Sequence, residues 1–176
     1  MMKIALIGYS GAGKSTLAKR LGKQWDCPVL HLDAVNFLPG WQERDPEEAG
    51  REVAAFMEQE SWVIDGNYKS LCFARRMEEA DFIIACQLPW YTCLRQAWGR
   101  YRRNRRTQAV RDCIAKGCDD KFDREFFRWI VRDGRSKEKQ KWYQEIRDTY
   151  GEKVLTCRSR REMDRVPRRI EEYGKR

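Results

Sequence analysis

A glycine-rich segment near the start of the chain constrains the fold more than any other feature of the sequence. Residues 8–16 read GYSGAGKST and match the pattern G-x-x-x-x-G-K-[ST] without a mismatch. The apolar run at 3–7 precedes them and predicts a buried parallel strand. Leu17, Ala18 and Leu21 follow at helical spacing. The order of strand, glycine loop and helix therefore predicts an α/β domain with a phosphate-binding loop.

The residue types in this loop suit the binding of a nucleotide. The backbone N–H groups of 11–15 are expected to form a nest for phosphate at the positive end of the helix. Lys14 is expected to reach the β- and γ-phosphates, and the Ser15 hydroxyl to ligate Mg²⁺. ATP and Mg²⁺ are therefore the expected cofactors, and a glycine turn that binds nothing is the alternative. The expected nucleotide-binding residues are Gly8, Ser10, Gly11, Ala12, Gly13, Lys14, Ser15, Thr16 and Arg100.

Composition indicates one domain over 1–176 and no membrane segment. The chain has 176 residues, and no apolar run approaches the roughly 20 residues that span a bilayer. Seven cysteines without a signal-peptide pattern predict reduced thiols in the cytoplasm. The spacing of Cys113 and Cys118 is compatible with a zinc site, but the single histidine weighs against one.

The charge of +9 is unevenly distributed. Residues 1–88 carry a net −3, and 89–176 carry +12. A basic second half is compatible with nucleic-acid binding, and equally with anionic phosphates closed under a lid. Both possibilities stay open at this point.

Apolar runs and helical patterns alternate along the chain. This alternation predicts a five-stranded parallel sheet with helices on both faces. An irregular stretch at 107–122 is a candidate for a mobile lid. The expected strands are 3–7, 28–32, 61–64, 82–88 and 153–157, and the expected helices 14–24, 45–59, 90–106, 123–150 and 161–173.

Two acidic residues follow predicted strands, where ligands of open α/β sheets bind. Asp65 is the candidate to hold Mg²⁺, and a turn-forming Asp-Gly is the alternative. Asp33 is the candidate to contact and deprotonate an acceptor hydroxyl, and a helix cap is an equal alternative. His31, inside a predicted strand, is interpreted as structural.

Several arginines are candidates for contact with phosphate or with an anionic acceptor. Arg105 lies one turn beyond the apolar face of the helix at 90–106, and Arg100 and Arg102 flank that face. With Lys14 and Asp33, Arg105 is the expected catalytic set, because a cation there can neutralise charge on the transferring group. A solvated face or a contact with a nucleic-acid backbone is the alternative.

The acceptor is expected near the second and third strands. Arg75 and Arg76 are candidates, with Asp33, to bind it if it is anionic. Arg132 and Arg135 are candidates to approach from beyond the lid. A frame of aromatic rings is expected from Phe37, Trp41 and Tyr68, with plain packing as the alternative.

Several of these blocks together resemble a known family. They are 8–18, His31-Leu32-Asp33, Pro39-Gly40-Trp41, the WVIDGNY segment at 62–68, Arg100-Tyr101 with Asn104-Arg105, 121–123 with 127–130, and Arg158-Ser159. The combination resembles the bacterial DNA topology modulation protein (FlaR-related) family of P-loop proteins.

The resemblance implies an influence on DNA topology and a three-layer, nucleotide-kinase-like fold similar to adenylate kinase and shikimate kinase. Asp65-Gly66 looks like the Asp-Gly of adenylate kinases, in which the Asp assists Mg²⁺. Arginines among 100–106 look like those that clasp ATP phosphates. The sequence departs from adenylate kinase at Asn67-Tyr68, where Phe-Pro-Arg is expected.

Two functions follow as hypotheses. The first is an ATP- and Mg²⁺-dependent phosphotransferase of the adenylate and shikimate kinase type, acting on a small-molecule or nucleotide acceptor. The second is a nucleotide-regulated DNA-binding protein. Convergence of the arginines on a cleft above Gly13 favours the first, and their clustering on one outer face favours the second. The acceptor and the oligomeric state stay open.

Overall fold

The computed structural model describes residues 1–107, 113–115, 117–118 and 122–173. Five parallel strands form the central sheet in the order β2-β5-β1-β6-β7, and β3 and β4 form a short antiparallel hairpin. The five-stranded parallel sheet predicted from the sequence is confirmed. The strands are β1 (Lys3–Gly8), β2 (Val29–His31), β3 (Phe37–Leu38), β4 (Gln42–Glu43), β5 (Trp62–Asp65), β6 (Phe82–Cys86) and β7 (Val154–Cys157).

Helices separate the strands along the chain. They are α1 (Lys14–Trp25), α2 (Leu32–Asn36), α3 (Pro46–Met57), α4 (Phe73–Glu79), α5 (Trp90–Thr107), α6 (Arg124–Val131), α7 (Lys137–Tyr150) and α8 (Arg160–Tyr173). The predicted start of α3 is correct, since the Asp45 carboxylate accepts from the backbone N–H groups of Glu47 and Glu48. In the described part of the chain, no helix is long and apolar enough to cross a membrane.

Two apolar clusters lie on opposite faces of the sheet. Successive side chains of β1 alternate between them, as the pleat of a strand requires. Ile4 and Leu6 pack in one cluster with residues of α1, α5 and α8. Ala5 and Ile7 pack in the other with residues of α3, α4 and α7. The helices therefore cover both faces, and the domain has three layers.

The single helix predicted over 123–150 is wrong, because the chain turns in its middle. α6 ends at Val131, the turn Asp133–Arg135 follows, and α7 starts after Ser136. The Ser136 hydroxyl accepts from the backbone N–H of Lys139 and caps α7. The break lets α6 pack on α5 while α7 packs on the other face of the sheet.

Of the lid predicted over 107–122, residues 108–112, 116 and 119–121 lie outside the described part of the chain. Two described residues of this stretch contact the β3–β4 hairpin. The Gly40 N–H donates to the Gly117 carbonyl over 3.2 Å, and the Cys118 thiol donates to the Leu38 carbonyl over 3.3 Å. Gly117 and Cys118 therefore lie against the hairpin.

We predict opposite effects for two glycine substitutions. Gly8 has φ +141°, and a Cβ there would lie 2.2 Å from the Cys86 carbonyl oxygen. Gly8→Ala should therefore lower the free energy of unfolding by roughly 3 kcal/mol or more. Gly99 lies in α5 with open space around it, so Gly99→Ala should raise that free energy by roughly 0.5–1 kcal/mol. Urea unfolding of both variants checks this, and equal effects would contradict it.

Candidate active site

The phosphate-binding loop connects β1 to α1 and has a backbone that favours glycine. Gly11 and Gly13 have φ values of +77° and +90°, in the left-handed region. A Cβ on Gly11 would lie 2.6 Å from the Cys93 carbonyl oxygen. Glycine is therefore required at these positions for the loop to curl at the N-terminus of α1, where its N–H groups can bind an anion.

Contacts from three side chains stabilise this loop. The Asn67 side chain accepts from the Gly8 N–H over 2.9 Å and donates to the Gly8 carbonyl over 2.8 Å. Lys14 Nζ donates to the carbonyls of Gly8 and Tyr9 over 3.1 and 3.2 Å. The Arg135 guanidinium lies 3.9 Å from the centroid of the Tyr9 ring. Lys14 is thus folded back over the loop.

Arg135 therefore contacts the phosphate loop through Tyr9. Arg132 is exposed. Sequence reasoning did not identify Asn67 as the residue that holds the loop. Its only signal was its place directly after Asp65-Gly66, at the end of a strand that neighbours β1.

Asp65, at the end of β5, is a buried carboxylate paired with a histidine. His31 Nδ1 lies 3.1 Å from Asp65 Oδ2, and the two side chains are 8% and 5% exposed. The other oxygen, Oδ1, is buried and has no hydrogen-bond partner among the described residues. His31 is structural, as expected, in that it fixes this carboxylate.

The electrostatics of Asp65 keep it ionised. Burial alone raises its pKa, but the hydrogen bond with His31, the charge of Lys14 and the nearby Ser15 hydroxyl together lower it below the usual value. An ionised oxygen without a partner next to a hydroxyl fits a hard cation such as Mg²⁺, which takes one or two carboxylates and completes its shell with phosphate oxygens and water. No group of three or more acidic, histidine or cysteine side chains that could hold a metal occurs in the described chain.

A cleft of about 820 Å³ opens over the loop. Its volume is in the range of ligand-binding pockets. One end carries residues of the phosphate loop with Lys19, and the other carries Asp33 with aromatic rings. The remaining lining residues are Arg100, Asn104, Cys113, Ile114, Asp123, Glu125, Phe126 and Trp129. The structure therefore brings the two predicted halves of a site together.

Side chains from three helices reach the phosphate loop. Trp129 Nε1 of α6 donates to Ser10 Oγ over 3.1 Å. Gln96 Oε1 of α5 and Arg160 Nη1 of α8 each lie 3.2 Å from the position that a Cβ would take on Gly13. These three side chains were not assigned to the loop from the sequence, because they are distant from it along the chain, and Trp129 was noted only within the block 127–130.

At the acceptor end, Asp33 lies in the first turn of α2 and lines the cleft. The Tyr68 hydroxyl donates to Asp33 Oδ1 over 2.8 Å. Burial and the charge of Asp33 raise the pKa of Tyr68, so the hydroxyl stays protonated and keeps donating. The Phe37 ring lies 5.2 Å from the Trp41 ring and 6.4 Å from the Tyr68 ring, both edge to face.

The arginines of α5 point in different directions. Arg100 and Asn104, one turn apart, line the cleft. Arg105 is exposed, stacks 5.8 Å from the Tyr101 ring centroid and donates to the Tyr101 hydroxyl over 3.4 Å. Arg105 is not among the described residues that line the cleft, whereas Arg100 is, so the assignment of Arg105 as the catalytic arginine stays a prediction. Arg102 also lies elsewhere, in a shallow depression of about 320 Å³.

Neither arginine proposed for an anionic acceptor lines the cleft. Arg76 is fully buried and donates to the carbonyls of Leu71, Gly66 and Tyr68 over 2.8, 3.2 and 2.7 Å. Arg75 is paired with Glu58 and Glu79. These contacts correct both assignments, because Arg76 stabilises the loop after β5 and Arg75 belongs to an ion-pair group outside the cleft.

The fold and the cleft define a P-loop kinase-like protein, and solved structures agree with this class. Shikimate kinase from Bacteroides thetaiotaomicron is similar with a TM-score of 0.53, 18% identity and 99% of each chain covered. Shikimate kinase from Acinetobacter baumannii in complex with shikimate gives 0.60, 12% identity, and 99% of this chain and 94% of that chain. Deoxyadenosine kinase from M. mycoides with bound dATP has a TM-score of 0.54 and 10% identity, with 97% of this chain and 100% of that chain covered.

These identities establish the fold alone. No family model matches this chain, and no curated protein matches it. The resemblance to the DNA topology modulation proteins therefore has no support from a sequence relative, whereas the kinase-like fold expected from the sequence is confirmed.

We predict that replacing Arg76 affects folding and not nucleotide affinity. Arg76→Met leaves three buried carbonyls without their donor and should lower the free energy of unfolding by about 2–4 kcal/mol. Arg75→Gln, its neighbour on the exterior, should leave stability within the error of urea unfolding. Calorimetric titration with ATP at a temperature where both variants are folded should give the wild-type affinity. A large loss of affinity in Arg76→Met would contradict this account.

We predict an acid-dependent stability contribution from Asp65. Because its folded-state pKa is lowered, the folded state binds fewer protons than the unfolded chain, whose aspartates titrate near about 3.9. The contribution is fully present above that pH and is lost as the pH falls through the folded-state value. The difference in free energy of unfolding between wild type and Asp65→Asn should therefore change in favour of the variant below about pH 4. A difference that moves the other way would contradict it.

Proposed function

We propose that this chain is an ATP- and Mg²⁺-dependent phosphotransferase that acts on a small hydroxylated acceptor. The observation that carries this proposal is the shared cleft, which has the phosphate loop at one end and the Asp33–Tyr68 pair at the other. Transfer of a phosphoryl group requires mainly positioning and charge neutralisation, and both ends supply these. The kinase names of the neighbouring structures support the same class.

At the phosphate end, the proposed roles follow from position. The loop N–H groups and Lys14 bind the β- and γ-phosphates, after Lys14 exchanges its two carbonyl partners for phosphate oxygens. Arg100 from α5, which lines the cleft, neutralises charge that develops on the transferring group. Ser15 and Asp65 would hold Mg²⁺, which when bound supplies further neutralisation of the phosphates.

At the acceptor end, Asp33 is the proposed general base. The hydrogen bond from Tyr68 occupies its Oδ1 and fixes the carboxylate, so that Oδ2 can accept the proton of a bound hydroxyl. Asp33 thus combines the two roles that its sequence position suggested, orienting the acceptor and taking its proton.

Further assignments belong to the same proposal. One domain over 1–176 with a lid around 107–122 would close the cleft during the reaction. All seven cysteines are free thiols, which agrees with a reducing cytoplasm.

A second candidate function is nucleic-acid binding, which the family resemblance implies as an effect on DNA topology. The observation that favours it is the shallow depression lined by Gly99, Thr107 and three arginines of α5, namely Arg102, Arg103 and Arg106, which lies apart from the cleft. Guanidinium groups on an exposed helix suit phosphate backbones. The arginines of α5 are therefore divided, with Arg100 at the cleft and these three outside it.

DNA affinity tests this alternative. If it holds, replacement of the three arginines should abolish DNA binding that falls steeply with salt concentration, with no effect on ATP affinity.

We predict that two arginines five residues apart on α5 differ in their effect on catalysis. Arg100→Gln should lower ATP turnover by roughly 10²–10³-fold, because it removes a cation at the cleft. Arg105→Gln should leave turnover within about twofold of wild type, and Lys14→Ala gives the background. ADP formation across a panel of hydroxylated metabolites, nucleosides and nucleotides is the measurement. If no acceptor raises turnover above the Lys14→Ala background, the proposed function is wrong.

A further inference from the structure

The acceptor end of the cleft carries a negative charge, whereas an anionic acceptor requires a positive one. Among the described lining residues, the basic side chains are Lys14 and Lys19, from the loop and α1, and Arg100 from α5. The hairpin and the end of β5 contribute aromatic rings, and α2 contributes the carboxylate of Asp33. The basic side chains of the described cleft therefore come from the phosphate loop, α1 and α5, and not from the hairpin or α2. Asp123 and Glu125 add two further carboxylates to the lining.

The three arginines nearest the acceptor end in sequence are engaged elsewhere. Arg44 is paired with Glu52. Arg76 is buried among backbone carbonyls, and Arg75 is paired with Glu58 and Glu79. The charge of Asp33 would repel a phosphate or carboxylate on the acceptor, and in a partly desolvated cleft this repulsion is strong. The electrostatics therefore select against shikimate-like acids and against nucleoside monophosphates.

The aromatic rings at the acceptor end of the cleft are held in place by the backbone that carries them. Trp41 has φ +65°, a left-handed and strained conformation that a bulky residue rarely adopts. The neighbouring Gly40 also has positive φ, so the turn between β3 and β4 is shaped as a unit. This turn brings the Trp41 ring against the edge of Phe37 and into the lining of the cleft. Two such rings offer faces for the stacking of a planar ligand.

We propose, building on the kinase function above, that the acceptor is a nucleoside, an uncharged ring-bearing alcohol whose hydroxyl contacts Asp33 and whose base lies against Trp41 and Phe37. The acceptor oxygen forms a bond to the γ-phosphorus of ATP, and the bond from that phosphorus to the β–γ bridging oxygen breaks. ADP leaves with the electron pair, and Asp33 takes the hydroxyl proton. The products are ADP and a nucleoside monophosphate.

Binding separates this proposal from the kinase function itself. The full chain, saturated with a non-hydrolysable ATP analogue, is titrated calorimetrically with adenosine, guanosine, cytidine and thymidine, with the 5′-monophosphate of each, and with shikimate. We expect at least one nucleoside to bind at least tenfold more tightly than its own monophosphate and than shikimate. Equal or tighter binding of a monophosphate or of shikimate, or no binding of any nucleoside, overturns the nucleoside proposal. The kinase function is overturned instead if the wild type binds the ATP analogue no more tightly than Lys14→Ala.

Two substitutions test the stated contacts. Trp41→Leu should weaken nucleoside binding by roughly tenfold through loss of stacking, and Asp33→Asn should narrow the discrimination against the monophosphate by roughly tenfold. Arg75→Gln, outside the cleft, should change neither. Unchanged affinity for the ATP analogue shows that each variant is folded, and Phe37→Leu replaces Trp41→Leu if the latter is not. Retained nucleoside affinity and retained discrimination in these variants would overturn the proposal.

Discussion

The pairing of the Asn67 side chain with the backbone of Gly8 is the contact on which the candidate site depends. It joins the end of β1 to the end of its neighbour β5, so the phosphate loop and Asp65 are held at a fixed separation. A Cβ on Gly8 would meet the next strand over, at the Cys86 carbonyl, so the loop has no room to shift toward β6. The nucleotide end of the cleft is therefore set by the sheet rather than by the nucleotide.

Two arginines that hold loops, the buried Arg76 and the partly buried Arg135, help to account for the charge pattern of the cleft. Arg76 donates to three carbonyls of the chain after β5, and Arg135 stacks on Tyr9 while it donates to the Ile130 carbonyl and to Cys93 Sγ. Each guanidinium supplies several donors in a planar arrangement, which suits the fixing of irregular backbone. Since these cations stabilise loops, Asp33 dominates the charge at the acceptor end. A basic chain can in this way present an acidic acceptor end.

The sheet and the phosphate loop were predictable from the sequence, because strand burial and loop chemistry leave local patterns. Asp33 and Asp65 followed from strand ends for the same reason. Asn67, Arg160 and Trp129 were not predictable, since each meets the loop only through the packing of distant elements. Periodicity gave the faces of α5 but not which of them meets the cleft, so it favoured Arg105, whereas Arg100 is the arginine that lines the cleft. The single helix over 123–150 was predicted because helical spacing on both sides masked the turn at Asp133–Arg135.

The β3–β4 hairpin connects the aromatic part of the cleft with Gly117 and Cys118. Its turn carries Trp41 at the cleft, and the adjacent Gly40 N–H donates to the Gly117 carbonyl of the lid stretch. Cys118 adds a second contact, to the strand that bears Leu38. Because the Trp41 backbone is strained, its conformation must be maintained by contacts of this kind. The turn that carries Trp41 is therefore held in part by Gly117 and Cys118, so a change at either residue would alter the aromatic wall of the cleft.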